Sequence, residues 1–102
     1  MINHARVLVI DAGLGNYGSV LSALNRHCDV VDRVQHPPES LSSVDWTHAV
    51  LPGVGSFAAG MQALSNTGWN DWLIKEWCKD GRPLLGICLG MQLLATYGLE
   101  GG

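Results

Sequence analysis

Residues 84–97, LLGICLGMQLLATY, contain the change of periodicity that decides the fold. Leu84-Leu85-Gly86-Ile87 is a short apolar run, as in a buried strand. Apolar residues then recur at helical spacing from Leu89 to Tyr97. The two glycines that flank the junction allow the backbone to make a cramped turn there. The stretch therefore predicts a strand that passes directly into a helix, with Cys88 at the junction.

Three more strands are predicted upstream of this junction. They are Arg6–Asp11, Asp29–Val34 and Thr47–Leu51, each a short apolar run next to turn-forming residues. Proline and glycine in Pro52–Gly55 are expected to end the third of these strands. The polar segment from His36 to Asp45 is expected to form a loop.

Helices are predicted between the strands because apolar residues recur there at spacings of three and four. Asn16 is suited to cap the first helix. The apolar positions are Val20, Leu21, Leu24 and Cys28, then Phe57, Met61 and Leu64, then Trp69, Trp72, Leu73 and Trp77. The order β-α-β, β-α-α, β-α predicts an α/β domain with a mostly parallel sheet and functional loops at the strand ends.

The composition is that of one globular domain, with 102 residues of which 47% are hydrophobic and 15% charged. A net charge of −3 and six scattered basic residues provide no basic stripe, so neither nucleic acid nor an anionic membrane is an expected partner. No apolar run has membrane-spanning length, and the N-terminus lacks a signal-peptide pattern. A cytoplasmic protein is therefore expected.

Neither disulfide nor metal chemistry is indicated. The cysteines are Cys28, Cys78 and Cys88, and the histidines are His4, His27, His36 and His48. An odd number of widely spaced cysteines fits neither a disulfide framework nor a CxxC metal site, and the histidines have no ligand spacing. His27 is expected late on the first helix and His48 at the strand end opposite the functional loops. We predict packing or exposed roles for the histidines, and neither a metal nor another cofactor.

Gly13–Gly18 follows the first strand and opens a helix, with Asp32 near the end of the next strand. These are parts of a dinucleotide-binding fingerprint, in which glycines admit a pyrophosphate and the acid holds a ribose. The glycine pattern alone is weak, and a tight turn is the simpler explanation. Nucleotide binding by this segment is an alternative function.

A second glycine turn, Pro52-Gly53-Val54-Gly55, leaves the carboxyl end of a predicted inner strand. Backbone amides at such a turn can point into a crevice and hold an oxyanion or a phosphate. The alternative is a turn that only ends the strand.

Gly86-Ile87-Cys88-Leu89-Gly90 has the form of a nucleophile elbow. At such a turn the nucleophile projects above the sheet, and the next amide, that of Leu89, points at a developing oxyanion. Unsatisfied amides at the helix N-terminus favour a thiolate at Cys88. The alternative is a buried packing cysteine, which is the better interpretation for Cys28 and Cys78.

Three motifs occur in a fixed order along the chain. They are Asp11-x-Gly13-x-Gly15-Asn16-x-x-Ser19-Val20, then Leu51-Pro52-Gly53-Val54-Gly55-Ser56-Phe57 with Met61, then Leu85-Gly86-Ile87-Cys88-Leu89-Gly90-Met91-Gln92-Leu93-Leu94. Together they closely resemble class I, or triad-type, glutamine amidotransferases, and within them the glutaminase subunits of imidazole glycerol phosphate synthases, which serve histidine biosynthesis. The resemblance implies a flavodoxin-like fold with helices on both faces. Residues 1–102 would be the N-terminal portion of one such domain, truncated after the elbow helix.

The resemblance also implies a reaction. Cys88 would attack the side-chain amide carbon of glutamine, release ammonia and form a thioester that water then hydrolyses. The oxyanion would be stabilised by the amides of Gly53, Val54 and Leu89, and the substrate would be seated by Gly55 and Gln92. The ammonia would pass to a synthase partner in a heterodimer, which in the histidine pathway is a (β/α)₈ cyclase subunit.

The family's general base, a histidine oriented by a glutamate, lies in a C-terminal half that these 102 residues do not contain. We therefore expect this chain by itself to turn over glutamine negligibly. Two further alternatives are ammonia supply to another pathway, such as a sugar-modifying one, and a non-catalytic fragment that packs against a partner.

Overall fold

The computed structural model describes residues 5–15, 17–38, 46–53, 55–79 and 81–88. Its four strands are β1 (Arg6–Ile10), β2 (Val30–Val34), β3 (His48–Gly53) and β4 (Leu84–Cys88). They form one sheet in the order β2-β1-β3-β4, and every neighbouring pair is parallel. The predicted α/β fold with a parallel sheet is confirmed.

The central strand β1 is buried on both faces of the sheet. Its side chains alternate, so that Leu8 and Ile10 belong to one apolar cluster while Val7 and Val9 belong to another. Helices cover both clusters, which is why the apolar run of residues 7–10 in this strand is stable in this position. Both faces of the sheet therefore carry packed apolar layers.

The first helix, α1 (Tyr17–Asn25), covers the Val7 and Val9 face. Its apolar side chains Val20, Leu21 and Leu24 pack there as predicted, together with Cys28. The helix ends earlier than the prediction, because its last backbone bonds close a turn in which the amides of both His27 and Cys28 donate to the Leu24 carbonyl. His27 and Cys28 thus follow the helix instead of lying on it. The predicted cap Asn16 lies outside the described residues.

The other face of the sheet is covered by α2 (Phe57–Thr67), α3 (Trp69–Trp72) and a π-helical turn at Leu73–Trp77. Ser56 caps α2, because its Oγ accepts a hydrogen bond of 3.2 Å from the Ala59 amide. Gly68 ends that helix with a φ of 85°, in the left-handed region where glycine is favoured.

The π-helical turn explains how three tryptophans share one core. Side chains five residues apart point to different faces of an α-helix, but to nearly the same face of the wider π-helix. Trp72 and Trp77 are accordingly stacked with ring centroids 5.7 Å apart, and Trp69 meets Trp72 edge-on at 5.3 Å. The predicted tryptophan core is confirmed, although its helix is not a regular α-helix.

Two details of the prediction were wrong. Phe57 was expected on the buried face of α2, but it is 42% exposed because it occupies the first turn, whereas Leu64 further along is fully buried. The third strand was expected to stop before Pro52, but β3 continues through Gly53.

Proline is tolerated in β3 because of where its missing amide would point. Amides along a strand face the two neighbouring strands alternately. The Ala49 amide donates to the Pro83 carbonyl, on the β4 side, at 3.1 Å. Position 52 therefore faces β1, which pairs with β3 from His48 to Val50. Pro52 lies beyond the last β1–β3 pair, and its missing amide leaves the pairing of β3 with β4 intact through Gly53.

Candidate active site

The carboxyl ends of β3 and β4 bring two of the sequence motifs together. The parallel register pairs Pro52 with Ile87 and Gly53 with Cys88. Neighbouring strands are about 4.8 Å apart, so the backbone of Cys88 lies one strand spacing from the start of the glycine turn. Residues 35 positions apart in the chain thus share one edge of the sheet.

The glycine turn leads from β3 directly into α2. Gly53 is buried at the end of the strand, and the alternation of amides directs its N–H toward β4. Gly55 is exposed and has a φ of 111°, a conformation that side-chain-bearing residues rarely adopt. The turn therefore requires glycine at 55 for its backbone path.

Several predicted site residues lie outside the described part of the chain. They are Val54, Leu89 and Gln92, together with the side chain of Cys88. The described geometry brings together the backbone positions of Gly53, Gly55 and Cys88.

Asp11 is a buried carboxylate just beyond β1, at the same edge of the sheet. It is 5% exposed, and its Oδ1 accepts a hydrogen bond of 3.0 Å from the Gly13 amide. Its Oδ2 accepts one of 2.6 Å from Arg33 Nε. Burial acts to raise the pKa of Asp11, but the bonds from Arg33, the Gly13 amide and Tyr17, with the charge of Arg33, hold that pKa below its ordinary value.

Tyr17 completes this group at the first turn of α1. Its hydroxyl accepts a hydrogen bond of 2.9 Å from the Leu14 amide, and Arg33 lies over its ring at 4.6 Å from the centroid. Burial raises the pKa of Tyr17, and the nearby Asp11 carboxylate raises it further. Sequence reasoning missed this group. The one available signal was the acid that ends the first strand.

These contacts argue against nucleotide binding at Gly13–Gly18. The Gly13 and Leu14 amides are already bonded to Asp11 and Tyr17 side chains, so they are not free to hold a pyrophosphate. Asp32 lies in the middle of β2, opposite Leu8, where its Oδ2 accepts a hydrogen bond of 2.9 Å from Trp46 Nε1. The acid that would hold a ribose therefore serves the packing of a core tryptophan.

Three further titratable groups, Cys28, Cys78 and His48, lie away from the carboxyl edge of the sheet. Cys28 lies in an apolar cluster, and burial raises the pKa of the Cys78 thiol. His48 lies at the opposite edge, with Nδ1 2.7 Å from Thr47 Oγ1, roughly 17 Å along β3 from Gly53. Among the residues that the structure describes, no three metal-binding side chains come together.

An apolar cavity of about 320 Å³ also lies at that opposite edge, between α1 and the starts of β3 and β4. It is lined by Leu24, Cys28, Leu84 and Leu85 among others, with His48 as its one ionisable group besides the cysteine. Because ligand sites of open α/β sheets lie at the carboxyl ends of strands, the Gly53 and Cys88 edge is the better candidate. Within the described ranges, no helix has the length and apolar character needed to cross a bilayer.

The Asp11 contacts predict a stability effect with a defined pH dependence. Asp11→Asn is expected to lower the free energy of unfolding by about 1–2 kcal/mol, because the charge-assisted bond from Arg33 is lost. The loss is no larger because water partly screens the charge of Arg33. The pKa of Asp11 is lower in the folded state than its ordinary value of 3.8, so the ionised carboxylate stabilises the fold at pH values above 3.8. This contribution disappears as the pH falls below 3.8 and the carboxylate is protonated.

Urea unfolding at pH 7 and near pH 3 measures both parts of this prediction. The difference between the parent protein and Asp11→Asn should be full at pH 7 and smaller at the lower pH. Glu76→Gln, at an exposed carboxylate of the π-helical turn, is the control and should change stability by less than about 0.5 kcal/mol. An equal difference at both pH values would contradict the assignment.

Comparison with known proteins adds an independent observation. Residues 7–100 match the CobB/CobQ-like glutamine amidotransferase domain. The chain is 56% identical over 97 residues to imidazole glycerol phosphate synthase subunit HisH 1 of Prochlorococcus marinus strain MIT 9313, an alignment covering 95% of this chain and 44% of that protein. It is 45% identical over 98 residues to subunit HisH of Symbiobacterium thermophilum, covering 96% and 44% respectively. The chain thus spans less than half the length of these curated relatives.

Proposed function

This chain belongs to the family of CobB/CobQ-like glutamine amidotransferase domains, and on that premise we propose that it supplies the nucleophile that releases ammonia from glutamine. The resemblance to class I glutamine amidotransferases that the motifs indicated is thereby confirmed. We take residues 1–102 to be a portion of a single amidotransferase domain.

The observation that carries this proposal is the pairing of Gly53 with Cys88. Acyl transfer needs a nucleophile and backbone donors a few ångströms apart. The register supports the proposal because it brings the backbones of Gly53 and Cys88 to neighbouring strand ends. The Cys88 thiolate attacks the side-chain amide carbon of glutamine, and the C–N bond breaks as a proton goes to the leaving nitrogen. Ammonia departs, and water hydrolyses the thioester to release glutamate.

The oxyanion formed in both steps is assigned to the amides of Gly53, Val54 and Leu89. Of these three donors the described residues include only Gly53, whose N–H faces β4, the strand that ends at Cys88. We assign the seating of the substrate to Gly55 and Gln92, on the resemblance of their motifs to those of class I glutamine amidotransferases.

The proton transfers require a base, and none of the described histidines lies beside Cys88. We assign this role to a histidine oriented by a glutamate elsewhere in the protein, because nucleophilic thiols in such triads are activated in this way. The two relatives are named as subunits of imidazole glycerol phosphate synthase. We therefore assign the ammonia to a synthase partner, a (β/α)₈ cyclase of histidine biosynthesis. A reactive thiol also favours a reducing, cytoplasmic location.

Covalent labelling tests the proposed chemistry. The full-length protein is treated with a glutamine-analogue electrophile, and the modified cysteine is identified by mass spectrometry. We expect modification of Cys88, protection by glutamine, and no modification of Cys28 or Cys78. Labelling of Cys28 or Cys78 instead, or labelling that glutamine does not slow, would contradict the proposal.

A further inference from the structure

We propose that Asp11, Tyr17 and Arg33 are positioning residues that hold the loop of residues 12–15 as a fixed wall on the β1 side of the glutamine crevice. The inference rests on the proposed function, since it assigns a role to the surroundings of the same site. None of the three side chains is assigned contact with the reacting atoms.

The position of the loop follows from the sheet. β1 lies between β2 and β3, and residues 12–15 follow its carboxyl end, at the same edge of the sheet as the glycine turn and the end of β4. In a parallel sheet β1 is one strand spacing, about 4.8 Å, from β3 and two spacings, about 10 Å, from β4. Two strand spacings are within the width of a pocket of a few hundred Å³.

The loop is anchored so that its backbone faces outward. Ala12 and Leu14 are each 8% exposed and pack into the core, whereas Gly13 is exposed and has a φ of 80°. Gly13 has no side chain, so the surface that this part of the loop presents is largely peptide groups. The N–H groups of Gly13 and Leu14 are bonded to side chains, so the carbonyl oxygens of these peptide groups are the atoms that can recognise the ammonium end of an amino-acid ligand, provided that they are held in one orientation.

That orientation is fixed by the three side chains. Asp11 holds the Gly13 amide and Tyr17 holds the Leu14 amide, so two successive peptide groups have defined directions. Arg33 links Asp11 to Tyr17, because its Nε donates a hydrogen bond to Asp11 and its guanidinium lies over the Tyr17 ring. Without these acceptors a loop with glycine at both 13 and 15 would sample many conformations.

Tyr17→Phe is the sharpest test because it removes one hydroxyl and keeps the buried ring beneath Arg33. Thr67→Val is the matched control, since it removes a hydroxyl that donates to the Ala63 carbonyl at the far end of α2. Two probes are compared in the full-length protein. One is the glutamine-analogue electrophile, which needs the crevice, and the other is iodoacetamide, which needs only an accessible thiolate.

We expect Tyr17→Phe to slow labelling of Cys88 by the glutamine analogue about tenfold, through a higher concentration for half-maximal labelling. Labelling by iodoacetamide should stay within twofold of the parent rate, and Thr67→Val should match the parent with both probes. Equal slowing with both probes, or no slowing with either, would overturn the inference. Failure of the analogue to label Cys88 in the parent protein would overturn the proposed function as well.

Discussion

Replacing Cys88 with alanine is expected to abolish glutamine hydrolysis, with kcat falling by about 10⁴-fold or more. The alanine variant has no atom that can form the thioester, so only uncatalysed attack by water remains. Glutamate release by the full-length protein, with the proposed ammonia-accepting partner present, measures the effect. The substitution is small, and Cys88 ends β4 at an edge of the sheet, so folding should be retained.

The two other cysteines provide matched controls for this experiment. Cys28→Ser and Cys78→Ser change the same atom type in packed, part-buried positions away from the carboxyl edge. Both should keep kcat within about twofold of the parent value. Glutamate release that persisted in Cys88→Ala, or that disappeared in Cys28→Ser instead, would rule out Cys88 as the nucleophile.

The largest expected loss of stability follows from Trp77→Ala, at about 3–5 kcal/mol. The Trp77 ring is fully buried and stacked on Trp72, and its Nε1 donates a hydrogen bond of 3.0 Å to the Pro83 carbonyl just before β4. Alanine leaves a cavity and removes one of the two hydrogen bonds that the Pro83 carbonyl accepts, while the bond from the Ala49 amide remains. Since domains of this size are stable by only about 5–15 kcal/mol, much of the variant should be unfolded in mild urea.

Urea unfolding followed by circular dichroism measures this loss. Ile74→Ala lies in the same π-helical turn at a side chain that is 49% exposed, and should cost less than about 1 kcal/mol. Trp77→Phe keeps a ring but loses the bond to Pro83, and should fall between the two. A cost below about 1 kcal/mol for Trp77→Ala would show that the tryptophan cluster does not hold the sheet.

The strands could be predicted from the sequence because their signals are local, whereas the elbow and the helix expected from Leu89 to Tyr97 stay predictions, since residues 89–97 lie outside the described part of the chain. A short apolar run before glycines identifies β1, and the switch of periodicity at Cys88 identifies the end of β4. The extension of β3 through Pro52 could not be predicted, because it depends on which neighbour the missing amide faces. That direction is a property of the assembled sheet.

The motifs of the candidate site could be predicted from the sequence, but the side-chain contacts around it could not. Parallel strands place their carboxyl ends at one edge, which is enough to bring Gly53 beside Cys88. The bond from Arg33 to Asp11 joins residues 22 positions apart and depends on the register of β1 with β2. The π-helical turn was missed because residues 69–77 carry ordinary helical periodicity, and its wider coil follows from the way three large rings pack.

The parallel strand order also affects how the protein is made. Val7 meets its β3 partner 41 residues later, and Gly53 meets Cys88 35 residues later. At about 5–20 residues per second, the ribosome needs several seconds to supply each missing partner. During synthesis β1 therefore has one unpaired edge until β3 is made, and among the described strands β4 is the last to reach the edge where the reaction is proposed to occur. Such non-local pairing predicts that folding is slow, and that chaperones can bind the nascent chain before the strands around the crevice have paired.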